Sequence, residues 1–561
     1  MINPALLLIF GALPIAFLQR PLRQIYLLAL PIVAFALALG IEDGSYGHIK
    51  VFDYTLETLR MDGLSRVFMI IFLIATFLGT LYALNDDDPV QQTSGMIYAG
   101  AAVGAVLAGD LISLFVYWEL TAIASVFLIL AAGTEKARRA AMRYLIIQVG
   151  SGVLLLAGAL MHVADTGSIA FVHFGLETTA GKLIFLAFGV KCAFPLLHNW
   201  LQDAYPEATV GGTVMLSAFT TKLAVYSLAR GYAGTEILIV IGATMTMFPI
   251  FYAVIENDLR RVLAYSLNNQ LGFMVVGVGV GTELALNGTA AHAFTHILYK
   301  ALLFMSMGAV LLRTGTCKGS ELGGLYKTMP WTTGFCIVGA ASISAFPLFS
   351  GFVSKSMILS ALGYEGHWFA WGVLLFASAG VFHHSGIKIP FFAFFAHDSG
   401  MRPKEAPFNM LLAMGGTAFL CIAIGVYPTA LYDILPHDVD YHPYSTAHVI
   451  NQLQLLLFSA LAFTFLMMTK LYPPELKSTN LDTDYVYRRL LLRLIAWLRD
   501  ALAQVDRQGR QFLLGIVSAI MDWIQKHHGI NGMMSQTYSA GTMVFWTLAM
   551  FLVFLVMYLA A

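Results

Sequence analysis

The chain has 561 residues, 58% hydrophobic and 11% charged, and its 32 basic residues balance its 32 acidic ones. Soluble domains carry about 25% charged residues. A mean hydropathy of +0.74 therefore excludes that class and predicts an all-α polytopic membrane protein with the lipid bilayer as its solvent. A formal net charge of zero gives no bulk signal for a nucleic-acid partner.

About sixteen spans follow from the roughly 20-residue criterion, at 2–18, 24–40, 65–84, 94–109, 111–133, 140–161, 182–201, 209–230, 235–255, 261–281, 285–312, 331–349, 367–395, 408–430, 449–469 and 541–560. Segment 352–364 reads as a half-helix or as the start of the following span. Met1 opens onto an apolar run without a basic leader, which predicts a retained first span, not a removed signal peptide. With the amino terminus outside, the inside loops hold Arg20, Arg23, Lys136, Arg138, Arg139, Arg260, Arg261, Arg402 and Lys404. The outside loops 41–63 and 431–448 are rich in acidic residues or histidine, so the basic excess falls mostly on one side. Cys192, Cys317, Cys336 and Cys421 have no metal-site or redox spacing and read as small core residues.

The last hundred residues change character. From Asp484 to His528 the chain is amphipathic, with Arg488, Arg489, Arg493, Arg499, Arg507 and Arg510 against Leu491, Leu494, Ile495, Leu498 and Leu502 at helical spacing. Gly509 and Gly515 predict an interruption. This segment reads either as a helix on lipid headgroups or as a strut along neighbouring helices or subunits.

Within the spans, charges are costly, roughly 2.5–3.5 kcal/mol each on insertion scales, and they tend to mark ion or proton pathways. Glu119 lies in Leu114-Phe-Val-Tyr-Trp-Glu119-Leu-Thr, among apolar and aromatic residues. Lys191 precedes Pro195, which cannot donate to the Lys191 carbonyl, so a helix break is expected beside the charge. Phe382-His383-His384-Ser385-Gly386-Ile387-Lys388-Ile389-Pro390 repeats that grammar, and paired interrupted helices point to transport sites. Lys222 lies well inside its span, where a lysine can hold or release a proton. His292, His296 and Lys300 recur every four residues and stack on one helix face. Such groups couple their protonation, which is the physical core of a relay. Competing readings are a structural Glu119–Lys191 ion pair, core histidines that hydrogen-bond between helices, two metal ligands at His292 and His296, and a snorkelling Lys388. Lys355 reads as a snorkelling or capping residue.

These motifs together resemble the antiporter-like subunits shared by Mrp cation/proton antiporters, respiratory complex I and membrane-bound hydrogenases, with the D-type Mrp component nearest. The resemblance rests on Phe115-Val-Tyr-Trp-Glu119-Leu, Lys191 to Ala204, Ser217-Ala-Phe-Thr-Thr-Lys222, Asp258-Leu-Arg260-Arg261, His292-x3-His296-x3-Lys300 and Ser350-Gly351-Phe-Val-Ser-Lys355, and it covers roughly residues 90–400. It departs from the family at Trp200-Leu-Gln202-Asp203 and at Ala345-Phe-Pro347-Leu348. The resemblance implies two inverted five-helix repeats with broken helices, at 91–230 and 231–400. Around them lie N-terminal helices at 1–90 and C-terminal helices at 401–475; the amphipathic lateral helix at 476–530 and final anchor at 541–561 are unusual for a D-type Mrp component and are similar, though shorter, to the lateral helix and anchoring span of the largest complex I antiporter-like subunit.

It further implies that Glu119 and Lys191 are the family's charge pair, Lys222 and Lys300 its central relay, and Lys388 its exit-side lysine, with His292 and His296 near the path. The expected function is a proton-translocating subunit that moves protons against Na+ or another cation, beside other membrane subunits in a bacterial inner membrane. The alternatives are a proton-driven subunit of a redox complex or of an inorganic-carbon uptake system, or a membrane scaffold. No haem, iron–sulfur or nucleotide motif is present, so no cofactor is expected on this chain.

Overall fold

In a computed structural model, which describes residues 3–438, 440–476 and 480–560, most of the described residues are helical. Ile2, where the first expected span begins, and Ala561, where the last anchor ends, lie outside the described residues. Two compact units form, Met1–Asn480 and Leu481–Ala561.

Each of the sixteen hydropathic segments coincides with a helix or with a helix split in two. Among the described residues, nine helices are long and apolar enough to cross a membrane. The remaining segments fall short of that criterion in length or in mean hydropathy. The expected outside loop 41–63 is instead largely an antiparallel hairpin, Gly44–Val51 paired with Tyr54–Met61. Leu59 and Met61 bury one face of its second strand.

The larger unit contains the same run of elements twice. Asp110 and Asp258 cap the helices Leu111–Leu130 and Leu259–Val280, each accepting two main-chain amides. An N-cap carboxylate satisfies amides that have no helical partner. Each capping aspartate also forms an isolated β-bridge, to Ala170 and Lys318 respectively. Helices of 32 residues follow, Glu135–Thr166 and Glu283–Thr314, each closed by a left-handed glycine, Gly167 and Gly315. Then comes a broken helix in each run: Thr179–Lys191 with Asn199–Ala204, and Pro330–Ile343 with Ser350–Tyr364.

Both breaks are built from the same tetrapeptide, Ala193-Phe-Pro-Leu196 and Ala345-Phe-Pro-Leu348. The alanines adopt φ of +62° and +55°, and the leucines +71° and +74°. The Phe194 amide donates to Gly189 O and the Ala193 amide to Val190 O; Phe346 donates to Ala341 O and Ala345 to Ser342 O. That pair of bonds is a Schellman motif, followed by a proline that cannot continue the helix. Lys191 is thus the last helical residue before the first break.

The second interruption therefore falls between Ile343 and Ser350, not at residues 382–390. There the helix Trp368–Val381 continues through π-helical turns, Phe382–Ile387 and Phe391–Phe395, which absorb Pro390 without a break.

Glu283–Thr314 is the axis of the larger unit, with 89% of its most apolar window buried inside the protein. In the smaller unit a π turn, Val486–Leu490, runs into Leu491–His528, a single 38-residue helix of about 57 Å. Gly509 and Gly515 do not interrupt it, because about 1 kcal/mol per glycine is spread over a long cooperative helix. The apolar helix Ala540–Ala560 follows.

Candidate functional site

Lys191, at the first break, is fully buried. Its ammonium donates to Trp118 O at 2.5 Å and to Thr121 Oγ1 at 2.9 Å, and it lies 4.3 Å from the centre of the Trp118 ring. Trp118 is locked by its indole N–H on Ser151 Oγ at 3.1 Å, and Ser151 donates to Ala187 O at 2.7 Å. These bonds tie together the three helices that meet at Lys191.

Glu119 faces Gly152, where even a methyl group would overlap its carboxylate. Glu119 and Lys191 interact electrostatically. No direct ion pair joins them among the described residues, and Glu119 Oε1 has no hydrogen-bond partner. Lys191 thus reaches the backbone next to Glu119 instead of its carboxylate.

Lys222 follows a second kind of interruption, at Phe219 between Val210–Ala218 and Thr220–Gly231. Its ammonium donates to Ser217 O at 2.6 Å, across the break. Tyr98 O–H pairs with Thr220 Oγ1 at 2.6 Å and accepts the Thr220 amide at 3.0 Å, closing the other side. Cys192, next to Lys191, lies within electrostatic reach of Lys222.

On the axial helix, His292, His296 and Lys300 are all fully buried. His292 Nδ1 lies 3.0 Å from Ser354 Oγ, and its Nε2 lies 3.4 Å from Tyr299 O–H, which donates to Gln270 Oε1 at 3.0 Å. The His292 and His296 rings are 6.1 Å apart, and Tyr299 lies edge-on to His296 at 5.3 Å. Neither ring nitrogen of His296 nor the Lys300 ammonium has a hydrogen-bond partner among the described residues. Lys222 is within electrostatic reach of His292, His296 and Lys300.

Two lysines outside the ladder complete the line. Lys355 is buried, and its ammonium caps the second break at Ile343 O, 2.6 Å away, 5.1 Å from the centre of the Phe273 ring. It is a cap and does not snorkel. Lys388 is fully buried, and its ammonium docks on the carbonyls of Ala253, Val254 and Glu256 at 3.2, 2.6 and 2.7 Å.

Sequence reasoning passed over His384, whose place between Lys300 and Lys388 is set by tertiary packing. Its Nδ1 lies 2.8 Å from Ser385 Oγ, and Ser385 donates to Ser266 at 2.8 Å. Both Lys300 and Lys388 are within its electrostatic reach. Two histidines beside a glycine in an apolar run were the available signal.

The arrangement is a series of mostly buried titratable side chains inside a helical membrane protein. Residues 108–383 match the NADH:quinone oxidoreductase/Mrp antiporter transmembrane family. It is 32% identical over 285 residues to the D component of the Na(+)/H(+) antiporter of Alkalihalophilus pseudofirmus, covering 47% of this chain and 58% of that one. It is 27% identical over 340 residues to hydrogenase-4 component B of Escherichia coli, covering 54% and 51%. The chain thus spans little more than half the length of these two relatives. Its fold is similar to that of a chain in the Mrp complex from Dietzia sp. DQ12-45-1b, with a TM-score of 0.69 at 22% identity, covering 77% of this chain and 96% of that one.

Proposed function

We propose that this chain is a proton-translocating subunit of a multisubunit complex in a bacterial cytoplasmic membrane, exchanging protons for Na+ or another cation. The observation that carries this reading is the series of titratable groups held inside the helices. It comprises the half-buried Glu119 and the buried Lys191, Lys222, His292, His296, Lys300, His384 and Lys388, with Cys192 between Lys191 and the electrostatic reach of Lys222. Protons pass along the file as each lysine or histidine changes charge and alters the balance of its neighbour. Lys191, Lys222 and Lys388 sit on fixed backbone carbonyls, so they can gain and lose a proton without rebuilding the helices around them. The bacterial sources of the relatives support the membrane assignment, and the Na(+)/H(+) antiporter relative supports cation exchange.

The test is cation-driven proton movement in vesicles that hold the intact complex. Lys191→Ala is expected to lower the rate at least about tenfold, equivalent to about 1.4 kcal/mol, with subunit composition unchanged. A wild-type rate refutes the relay. A second reading, the proton-driven module of a redox complex, is favoured by the hydrogenase-4 relative. Mass spectrometry of the purified native complex separates the two: small antiporter-type membrane partners support exchange, and redox subunits support the second reading.

A further inference from the structure

The Lys388 ammonium also has an ion-pair partner, on a segment that hydropathy places outside every span. The helix Thr446–Met468 ends at a reversal in which Lys470 adopts φ of +59° and the amides of Leu471 and Tyr472 both donate to Leu466 O at 3.0 Å. The chain then folds back as a strap. Tyr472 pins it, stacked on His383 with ring centres 5.5 Å apart and edge-on to Phe463 at 5.3 Å. Pro473 and Pro474 follow, and their fixed φ keeps the strap extended. Glu475 comes next, and its Oε1 lies 2.9 Å from Lys388 Nζ, with side chains 7% and 0% exposed respectively.

An ammonium has three protons to donate. The three carbonyls at Ala253, Val254 and Glu256 suffice to hold it, so anchoring Lys388 does not require a carboxylate. The other carboxylate nearby is committed elsewhere: Glu256 Oε1 accepts the amides of Asn257 and Asp258 at 3.0 and 3.1 Å, and its Oε2 accepts from Asn480 at 3.2 Å. Among the described residues, the remaining titratable groups facing the pair are His383, His384 and Tyr472. Glu475 is therefore placed to act on the proton of Lys388, and it joins a fully buried amine to a strap whose flanking residues, Pro474 and Leu476, are exposed. It mirrors the other end of the file, where Glu119 stands near Lys191.

We propose that Glu475 is the exit-side proton acceptor of the file, an assignment that rests on the relay proposed above. The Lys388 ammonium gives its proton to the Glu475 carboxylate, which leaves a neutral amine and a carboxylic acid. The acid releases the proton to water beside the strap, and the amine is reprotonated from the side of His384. Burial holds the Glu475 carboxyl above the usual carboxylate range, with Lys388 opposing the shift. This narrows the gap between donor and acceptor.

The experiment uses the intact complex in vesicles and follows cation-driven proton movement against pH. Glu475→Gln is expected to lower the rate more than about tenfold while the complex assembles. Glu475→Asp is expected to keep most of the rate with a displaced pH profile. Lys191→Ala runs alongside as the reference. If Lys191→Ala loses transport and Glu475→Gln keeps both the wild-type rate and pH profile, the assignment is overturned and the relay stands. If Lys191→Ala transports at the wild-type rate, the relay itself fails and this assignment with it. Where Glu475→Gln lowers the yield of complex, Glu475→Cys is alkylated with iodoacetate or with iodoacetamide; the four native cysteines are all buried. Recovery of transport with the carboxylate reagent alone supports proton acceptance, and equal recovery with both overturns it.

Discussion

Replacing Gly152 by alanine is the smallest change that reaches the charged end of the file without touching a charged residue. The new methyl would overlap Glu119 Oε1. Helix Glu135–Thr166 cannot easily retreat, because Ser151 is bonded to both Trp118 and Ala187 O. The carboxylate must therefore turn away. Leaving its rotamer costs about 0.5–1.5 kcal/mol. Moving it roughly 2 Å farther from Lys191 forfeits on the order of 1 kcal/mol at an effective dielectric near 20. Together these predict a fall in transport of about ten- to seventyfold. The helix itself gains about 1 kcal/mol, because alanine is the better helix former. The expected signature is a complex destabilised by no more than the difference of these terms, about 0.5–1.5 kcal/mol, that exchanges protons at least about tenfold more slowly. Thermal melting in detergent and vesicle transport on the same preparation measure both. Wild-type transport by Gly152→Ala would refute the claim that the position of the Glu119 carboxylate matters.

Asp62 caps the helix Gly63–Tyr82 and pairs with Arg230 at 2.8 Å. Burial pushes its carboxyl up, but Arg230 and the Ser65 amide outweigh it and hold the carboxyl below the usual range. A depressed value in the folded state means that the contribution to stability is full above about pH 4 and fades as pH falls through that value. Asp62→Ala should lower stability by about 1 kcal/mol at pH 7 and by less at pH 3; a melting deficit that grows on acidification contradicts this. Ala193→Gly should stabilise the first break by up to about 1 kcal/mol, since a left-handed alanine costs roughly 1–2 kcal/mol and the flexible unfolded glycine returns part of that. A lower melting temperature would count against the Schellman reading.

Hydropathy located all sixteen hydrophobic segments, because burying an apolar segment leaves a mark in every window along it. The break after Lys191 was also legible, since Pro195 removes a specific hydrogen bond. Its counterpart was misplaced. A lysine near glycine and proline drew attention to residues 382–390, whereas the repeated Ala-Phe-Pro-Leu at 345–348 carried the break. Glu475 left no trace. One acidic residue in a polar loop has no periodicity, and only the reversal at Lys470 brings it against Lys388. The hairpin at 44–61 was obscured by the charges on its exposed face. The absence of a Glu119–Lys191 contact was equally invisible, because spacing cannot tell a carboxylate from the carbonyl beside it.

Lys191, Lys222, Lys355 and Lys388 all rest on main-chain oxygen atoms, at Trp118, Ser217, Ile343 and Ala253 to Glu256. A carbonyl is present whatever side chain a codon specifies. Half of each contact is therefore beyond the reach of point mutation. A side-chain substitution can undo the docking only at the lysines themselves or at the few small residues, such as Gly152, that leave room for the charge.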